Sequence, residues 1–165
     1  MQAANPYSAP QAPVSDPASD GVSTVNIWSA KGRLGRIRYI AYSIGLGLLI
    51  NLLTAVVIAF VGNSGLGGAM WIAGAAGAIY VHALLSIQRA HDFNTTGWLA
   101  ILAFIPLLNF IFWFVPGTNG ENRFGHKTPP NGIFTIIVAL ILPAIMAVGI
   151  VAAIAIPAYQ AYLQG

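Results

Sequence analysis

The chain has 165 residues, of which 57% are hydrophobic and 7% charged. Soluble globular domains carry about a quarter charged residues, so this composition excludes an ordinary soluble fold. The formal charge is +3, and with no cysteine, disulfides and thiol chemistry are excluded as well. Several apolar stretches approach or exceed the ~18 residues that can cross a bilayer. They are continuously apolar rather than alternating, which argues against a β-barrel. The expected class is an all-α, polytopic transmembrane helix bundle of about four apolar segments behind a disordered N-terminal tail.

Residues 1–27 are rich in Ala, Pro, Ser and Gln and lack periodic apolar positions. Such a segment buries too little surface to offset its chain entropy, and it reads as a solvated tail. It has no basic start followed by an apolar stretch, so no cleavable signal is expected. The membrane domain is expected over residues 28–130, and a C-terminal helix with a short tail over 131–165.

Lys31, Arg33, Arg36 and Arg38 stand directly before the first apolar span, with Gly32 among them and Tyr39 after. Cations in that place set orientation and meet anionic headgroups, with Trp28 and Tyr39 as interfacial anchors. Arg33 and Arg36 are thereby candidates for a headgroup or ligand site. Because the basic residues flank apolar segments, membrane lipids and not nucleic acid are the expected partners. The first span, roughly Ile40 to Val61, contains Asn51 and Thr54, which should hydrogen-bond to a neighbouring helix. The second, roughly Leu66 to Ile87, holds small-residue pairs at Ala73/Gly77 and Gly74/Ala78 and is expected at the centre of the bundle.

His82, Ser86 and Arg89 follow at helical spacing, on a face leading to Arg89-Ala90-His91-Asp92. An ionisable side chain within a span is a functional-site hypothesis by default; the plainer reading of His82 is that it reaches interfacial water. Arg89 and Asp92 are three apart and can pair if the helix continues. Thr95 or Thr96 can cap a helix starting near Gly97-Trp98, and Trp98 belongs at the interface. Each residue of this charged stretch thus has a structural role available before any chemistry. His91 is the one without an evident partner.

The third segment, roughly Trp98 to Val115, is short and has Pro106 and Asn109 near its middle. It either crosses as a kinked helix or dips in and returns as a re-entrant hairpin. A polar loop carrying Asn122-Arg123-Phe124-Gly125 follows. The last segment runs from about Ile133 to Ala158, with a kink expected at Pro143. Segment length favours four crossings and is the arrangement expected here. The charge rule favours the hairpin, which puts all seven Lys/Arg on one side.

Three motifs occur in order: Gly32-Arg33-Leu34-Gly35-Arg36 with Tyr39; Gln88-Arg89-Ala90-His91-Asp92 with Thr96-Gly97-Trp98; and Pro116-Gly117-Thr118 with Asn122-Arg123-Phe124-Gly125. Together they resemble the family catalogued as domain of unknown function 805, the YhaH-like small bacterial inner-membrane proteins, over roughly residues 30–130. Gln88, Ala90 and Ile40 depart from the family's usual Arg, Leu and Trp. The resemblance implies a multi-pass protein of the bacterial inner membrane and no established activity. Separately, Gly149 to Gln160 resembles the later half of a type IV pilin's N-terminal helix, without the pilin processing site, its Glu or its head domain.

Three functional classes were weighed on these residues. The first is a non-enzymatic scaffold or accessory protein acting through helix–helix and lipid contacts, linked to pilus biogenesis through its last helix, with a membrane protein or a second copy as partner. The alternative is a small transporter, channel or lipid-handling protein using Arg89, His91, Asp92 and His82. An enzyme ranks last, because no nucleophile accompanies His91-Asp92 and neither a phosphate loop nor a dinucleotide fingerprint is present. The three histidines at 82, 91 and 126 lack metal-ligand spacing. No cofactor, metal or catalytic residue is expected.

Overall fold

A computed structural model describes residues 21–62 and 64–164. Helix α1 spans Arg36–Val61 and ends where Gly62 turns the chain at φ +72°, a left-handed value that favours glycine. Helix α2 spans Gly65–Asp92, and the Ser64 side chain caps it by accepting from the Gly67 N–H. Tyr39 meets Ser86 and Thr54 meets Gly74, so the two helices run antiparallel. A 3-10 helix covers Gly97–Phe104, and α3 covers Pro106–Phe114. Helix α4 spans Ile133–Gln164 with Pro143 and Pro157 inside it. It starts beside the start of α1, where Arg38 holds the Pro129 carbonyl, and Val138 lies near Gly45 further along. The two helices therefore run parallel.

The core is small and lies at one end. Leu34, Tyr39, Val81, Leu85, Ala90, Ala103 and Phe112 form it, with Val25, Ile27, Leu46 and Ile50 packed around. Elsewhere the helices turn Leu52, Phe60, Trp71, Ile72, Ile141 and Val148 outward. In water such a surface would be aggregation-prone; against lipid tails it carries no cost. Helices α1, α2 and α4 are each long and apolar enough to cross a membrane, and the chain is an integral membrane protein.

The third apolar segment does not form one long helix. It breaks at Ile105, whose extended backbone (φ −98°, ψ 115°) precedes Pro106 at the first position of α3. Proline at that site has no N–H to lose and cannot continue the preceding turn. The segment then comes back: Val115 carbonyl accepts from Arg89 and Thr118 N–H donates to the Asp92 carbonyl. The full crossing favoured by segment length is thus not the path the chain takes. Both ends of the segment lie at the same pole of the α1/α2 pair, as in a hairpin.

Other expectations are corrected. Asn51 bonds no neighbouring helix; it donates to the Gly47 carbonyl of its own helix at 2.8 Å. Thr54 likewise donates to Ile50, because a carbonyl four residues back is within reach of a short polar side chain. The central helix is α1, which touches α2, α3 and α4, whereas α2 does not touch α4. The expected tail boundary at residue 27 also moves. Residues 1–20 of that tail lie outside the described residues, but Ser23 N–H donates to the Lys127 carbonyl, and Val25 and Ile27 pack on the core.

Of the small-residue pairs in α2, Gly74 is the glycine that the facing helix requires. A Cβ there would collide with the Thr54 hydroxyl, while one at Gly77 meets nothing within 4 Å. Gly74→Leu should lower stability by about 1–3 kcal/mol through overpacking, and Gly77→Ala should not. Thermal unfolding in detergent reads the difference; equal melting temperatures would mean that this contact does not set the helix spacing.

Candidate functional site

The charged end of α2 is where the three motifs meet. Asp92 closes α2, a place where the helix dipole disfavours a carboxylate. It is tolerated because two guanidiniums hold it. Arg33, just before α1, donates from Nε and Nη2 to Asp92 Oδ1 at 3.1 and 2.9 Å. Arg89, one turn earlier in α2, donates to Asp92 Oδ2. All three are buried, at 1% (Arg33), 0% (Arg89) and 4% (Asp92) relative exposure.

The remaining donors go to backbone carbonyls. Arg33 reaches Thr118 at 2.6 Å, Gly120 at 2.6 Å and Gly125 at 3.2 Å. Arg89 reaches Phe112 at 2.9 Å and also Val115, and its guanidinium lies 4.3 Å from the Phe93 ring centroid. One buried carboxylate is thus wired to the chain before α1, the end of α2, the end of α3 and the loop after it. Arginine suits this use, since its planar fork serves several acceptors at once.

A second layer closes the site. The Thr118 N–H and hydroxyl both donate to the Asp92 carbonyl, at 2.8 and 2.7 Å, satisfying an acceptor that the helix end leaves open. Asn122 donates to the His91 carbonyl and to Thr118 Oγ1, each at 2.9 Å. Asn122 and Gly125 also exchange backbone bonds across a tight turn, in which Gly125 adopts φ +111°. A Cβ at Gly117 would overlap the Asp92 carboxylate, so glycine there lets the loop close.

His91 has partners that its position in the sequence did not reveal. Its ring stacks on Phe124, 3.8 Å between centroids and 8° from parallel, and Nδ1 lies 3.1 Å from the Gly32 carbonyl. Arg123 lies over the other ring of this pair, 4.7 Å from the Phe124 centroid. Gln88 donates to the Asn26 and Ser29 carbonyls, which ties down the segment before α1.

The structure therefore gathers Gly32, Arg33, Arg89, His91, Asp92, Asn122, Phe124 and Gly125. The Arg89–Asp92 pair expected from the spacing forms. Thr96 caps the 3-10 helix by accepting from the Trp98 N–H, Gly97 sits against Ile87 and His91, and Trp98 is 84% exposed. His82 stands apart, about 10 Å from Arg89 along α2 at 1.5 Å per residue. It is half-buried against the hairpin, near the Ala103 carbonyl and edge-on to Phe104. Arg36 is exposed at the rim, with the Phe114 carbonyl at 3.5 Å.

Four contributors have roles that the sequence did not indicate. Arg38 is buried and holds the Pro129 and Pro130 carbonyls at 2.9 Å each. Tyr39, expected as an interfacial anchor, is instead fully buried, because its OH bridges Ser86 and Asn109 at 3.1 and 2.9 Å. Thr118 and Gly117 complete the set; their place in a Pro-Gly-Thr motif was the available signal. With Lys31 beside Gly32, Lys127 near Asn119 and Arg123 on Phe124, all seven Lys/Arg gather at this one pole.

A family model described as a protein of unknown function (DUF805) matches residues 27–126, and the chain belongs to that family. No curated protein and no solved structure matches it. The matched span contains every residue of the Arg33–Asp92–Arg89 cluster and ends before α4.

Removing the carboxylate leaves two buried cations without their anion. Asp92→Asn should cost about 3–5 kcal/mol, whereas Arg36→Gln at the exposed rim should change stability by less than about 0.5 kcal/mol. Arg89→Lys should also destabilise, since one ammonium cannot span Asp92, Phe112 and Val115. Equal melting temperatures for the Asp92 and Arg36 variants would remove the cluster from its structural role.

Proposed function

We propose that this chain is a multi-pass protein of the bacterial inner membrane that works by contact and not by catalysis. It is a scaffold or accessory factor acting through helix–helix and lipid contacts. The observation that carries this reading is the closed state of the charged cluster. Arg33, Arg89 and Asp92 spend their hydrogen bonds on neighbours of the same fold, and His91 is held by the Gly32 carbonyl at Nδ1 and by its stack on Phe124. A general base needs reach to a substrate proton, and Asp92 is held between two arginines instead.

The transport alternative is weakened for the same reason. His82, Ser86 and Arg89 do share a face, but that face is packed against Ala103, Tyr39 and Phe112. The polar groups that might have lined a path serve as internal fasteners.

In this reading α1, α2 and α4 cross the membrane and the segment 97–115 is re-entrant. The seven Lys/Arg then face the cytoplasm, as the positive-inside rule requires. Since α4 runs parallel to α1, its end emerges on the opposite side. Beyond the contact with α1, α4 leaves Ile150, Ile154, Ile156 and Tyr159 exposed, and this is the stretch that resembles a pilin helix. A membrane-protein partner or a second copy of the chain would find its docking surface there, with pilus biogenesis as the candidate context.

The natural chain has no cysteine, so single-cysteine labelling is clean. A membrane-impermeant maleimide should label Ala161→Cys in intact cells and Asn119→Cys only after permeabilisation. The reverse pattern would overturn this orientation. A photocrosslinker at Ile156 or Tyr159 should capture another membrane protein or a second copy. Capture of lipid alone would remove the scaffold reading, and capture of proteins that never include a pilin would remove the pilus clause.

A further inference from the structure

Two cavities lie beside α1, one at its start and one further along it. The first, at the cationic pole, has a volume of ≈ 560 Å³ and is walled by Arg36, Asn119, Lys127, Thr128 and Asn131. The second, ≈ 460 Å³, is apolar and walled by Ala41, Gly45, Leu49, Val138 and Leu142. The first lies between α1 and the 116–131 loop ahead of α4, the second between α1 and α4 itself. Ile37 and Asn131 line the polar cavity, and Ala41 and Thr135, four residues further on, line the apolar one. A polar chamber about one helical turn from a hydrocarbon-lined groove matches the division of a phospholipid into headgroup and acyl chain.

Charge selects among headgroups. Among the described residues, no carboxylate pairs with Arg36, Arg38 or Lys127. Arg36 and Lys127 have only neutral acceptors, each at 3.5 Å, and both are exposed at the chamber. Asp92 also borders the chamber, but its oxygens are held by Arg33 and Arg89, so that trio contributes a net positive charge. The chamber thus carries positive charge that no free carboxylate among the described residues balances, which favours an anionic headgroup.

We propose that the α1/α4 seam holds one anionic glycerophospholipid, with its phosphate at Arg36 and Lys127 and an acyl chain in the groove below. This inference rests on the reading of the cationic pole as a membrane-surface face, and not on the scaffold role. An acyl chain in the groove would also touch both α1 and α4, coupling the last helix to the rest of the bundle.

The test uses the full chain purified from, or reconstituted into, bilayers containing phosphatidylglycerol and phosphatidylcholine, with retained lipid read by native mass spectrometry. The wild type should retain one phosphatidylglycerol per chain in preference to phosphatidylcholine. Each of Arg36→Gln and Lys127→Gln should weaken retention about 5-fold, and the pair roughly 30-fold, as expected for surface cations meeting an anionic lipid. Gly45→Leu, which fills the groove, should release the lipid while leaving both cations in place. Lys31→Gln removes the same charge from the pole but lies outside the chamber, and it should retain lipid as the wild type does.

Equal retention of the two lipids would overturn the proposal. So would equal loss from Lys31→Gln and Arg36→Gln, which would reduce the site to diffuse pole charge. Competition by glycerol phosphate as strong as by the whole lipid would make the chamber a free-phosphate site instead. Thermal unfolding of each variant separates lost lipid from lost fold. If the cysteine pattern at positions 119 and 161 holds while lipid selectivity fails, the lipid assignment falls alone. If that pattern reverses, the membrane-surface reading falls with it.

Discussion

The fold depends on one buried carboxylate. Asp92 sits between Arg33 and Arg89, and all three are almost wholly buried. Taking three charges out of water is costly, and two cations against one anion leave the group unbalanced. What makes it sustainable is the number of carbonyls turned toward the guanidiniums. Phe112, Val115, Thr118, Gly120 and Gly125 all supply oxygen. Those carbonyls belong to the end of α3 and the loop beyond it, so the cluster can be satisfied only if that chain returns to the pole. The hairpin path of the third segment and the burial of the charges are therefore two sides of one constraint.

The same constraint explains which features could be read from the sequence. The Arg89–Asp92 pair is local, three residues apart on one helix, and its spacing sufficed. The motif residues Gly32, Asn122 and Gly125 were visible as a set, but their purpose was not. Arg33 and Asp92 are 59 residues apart, and nothing in either neighbourhood names the other. His91 lacked a partner for the same reason, since Phe124 and the Gly32 carbonyl come from remote loops. Helix periodicity and apolar length identified α1, α2 and α4 because those depend on nearest neighbours along the chain. The third segment failed this way of reading. Its length was that of a marginal span, and its path was decided by carbonyl acceptors that become relevant only once Arg33 and Arg89 are in place.

Burial also inverts the apparent meaning of the charged stretch. In a chain this poor in charge, Arg-x-His-Asp beside an apolar span looks like chemistry. The geometry instead gives His91 a stacking partner, Asp92 two cations and Arg89 three acceptors. Among the groups left facing outward are Arg36 and Trp98, at the edges of two motifs, and Lys127 in the loop beyond the third. In a small membrane protein the most polar sequence can therefore mark the interior fastening, and the plainer cations at its rim the surface that meets other molecules.

Helix α4 follows different rules from the rest. It lies outside the family match, touches only α1, and buries only Ala139 among its described residues. Its 32 residues extend about 48 Å, longer than the roughly 30 Å hydrocarbon core. The charged cluster has no part of α4 in it, but Arg38 does grip the Pro129 and Pro130 carbonyls just ahead of its first turn. Arg38 belongs to α1, one residue before the Tyr39 that joins α1 to Ser86 and Asn109. The unit of Arg33, Arg89 and Asp92 thus fixes the pole, α1 carries that order outward, and α4 follows α1 over its first turns, from Arg38 to the Val138–Gly45 contact. Beyond those turns α4 presents apolar side chains with no partner among the described residues, which makes its far end the place where this fold remains open to its surroundings.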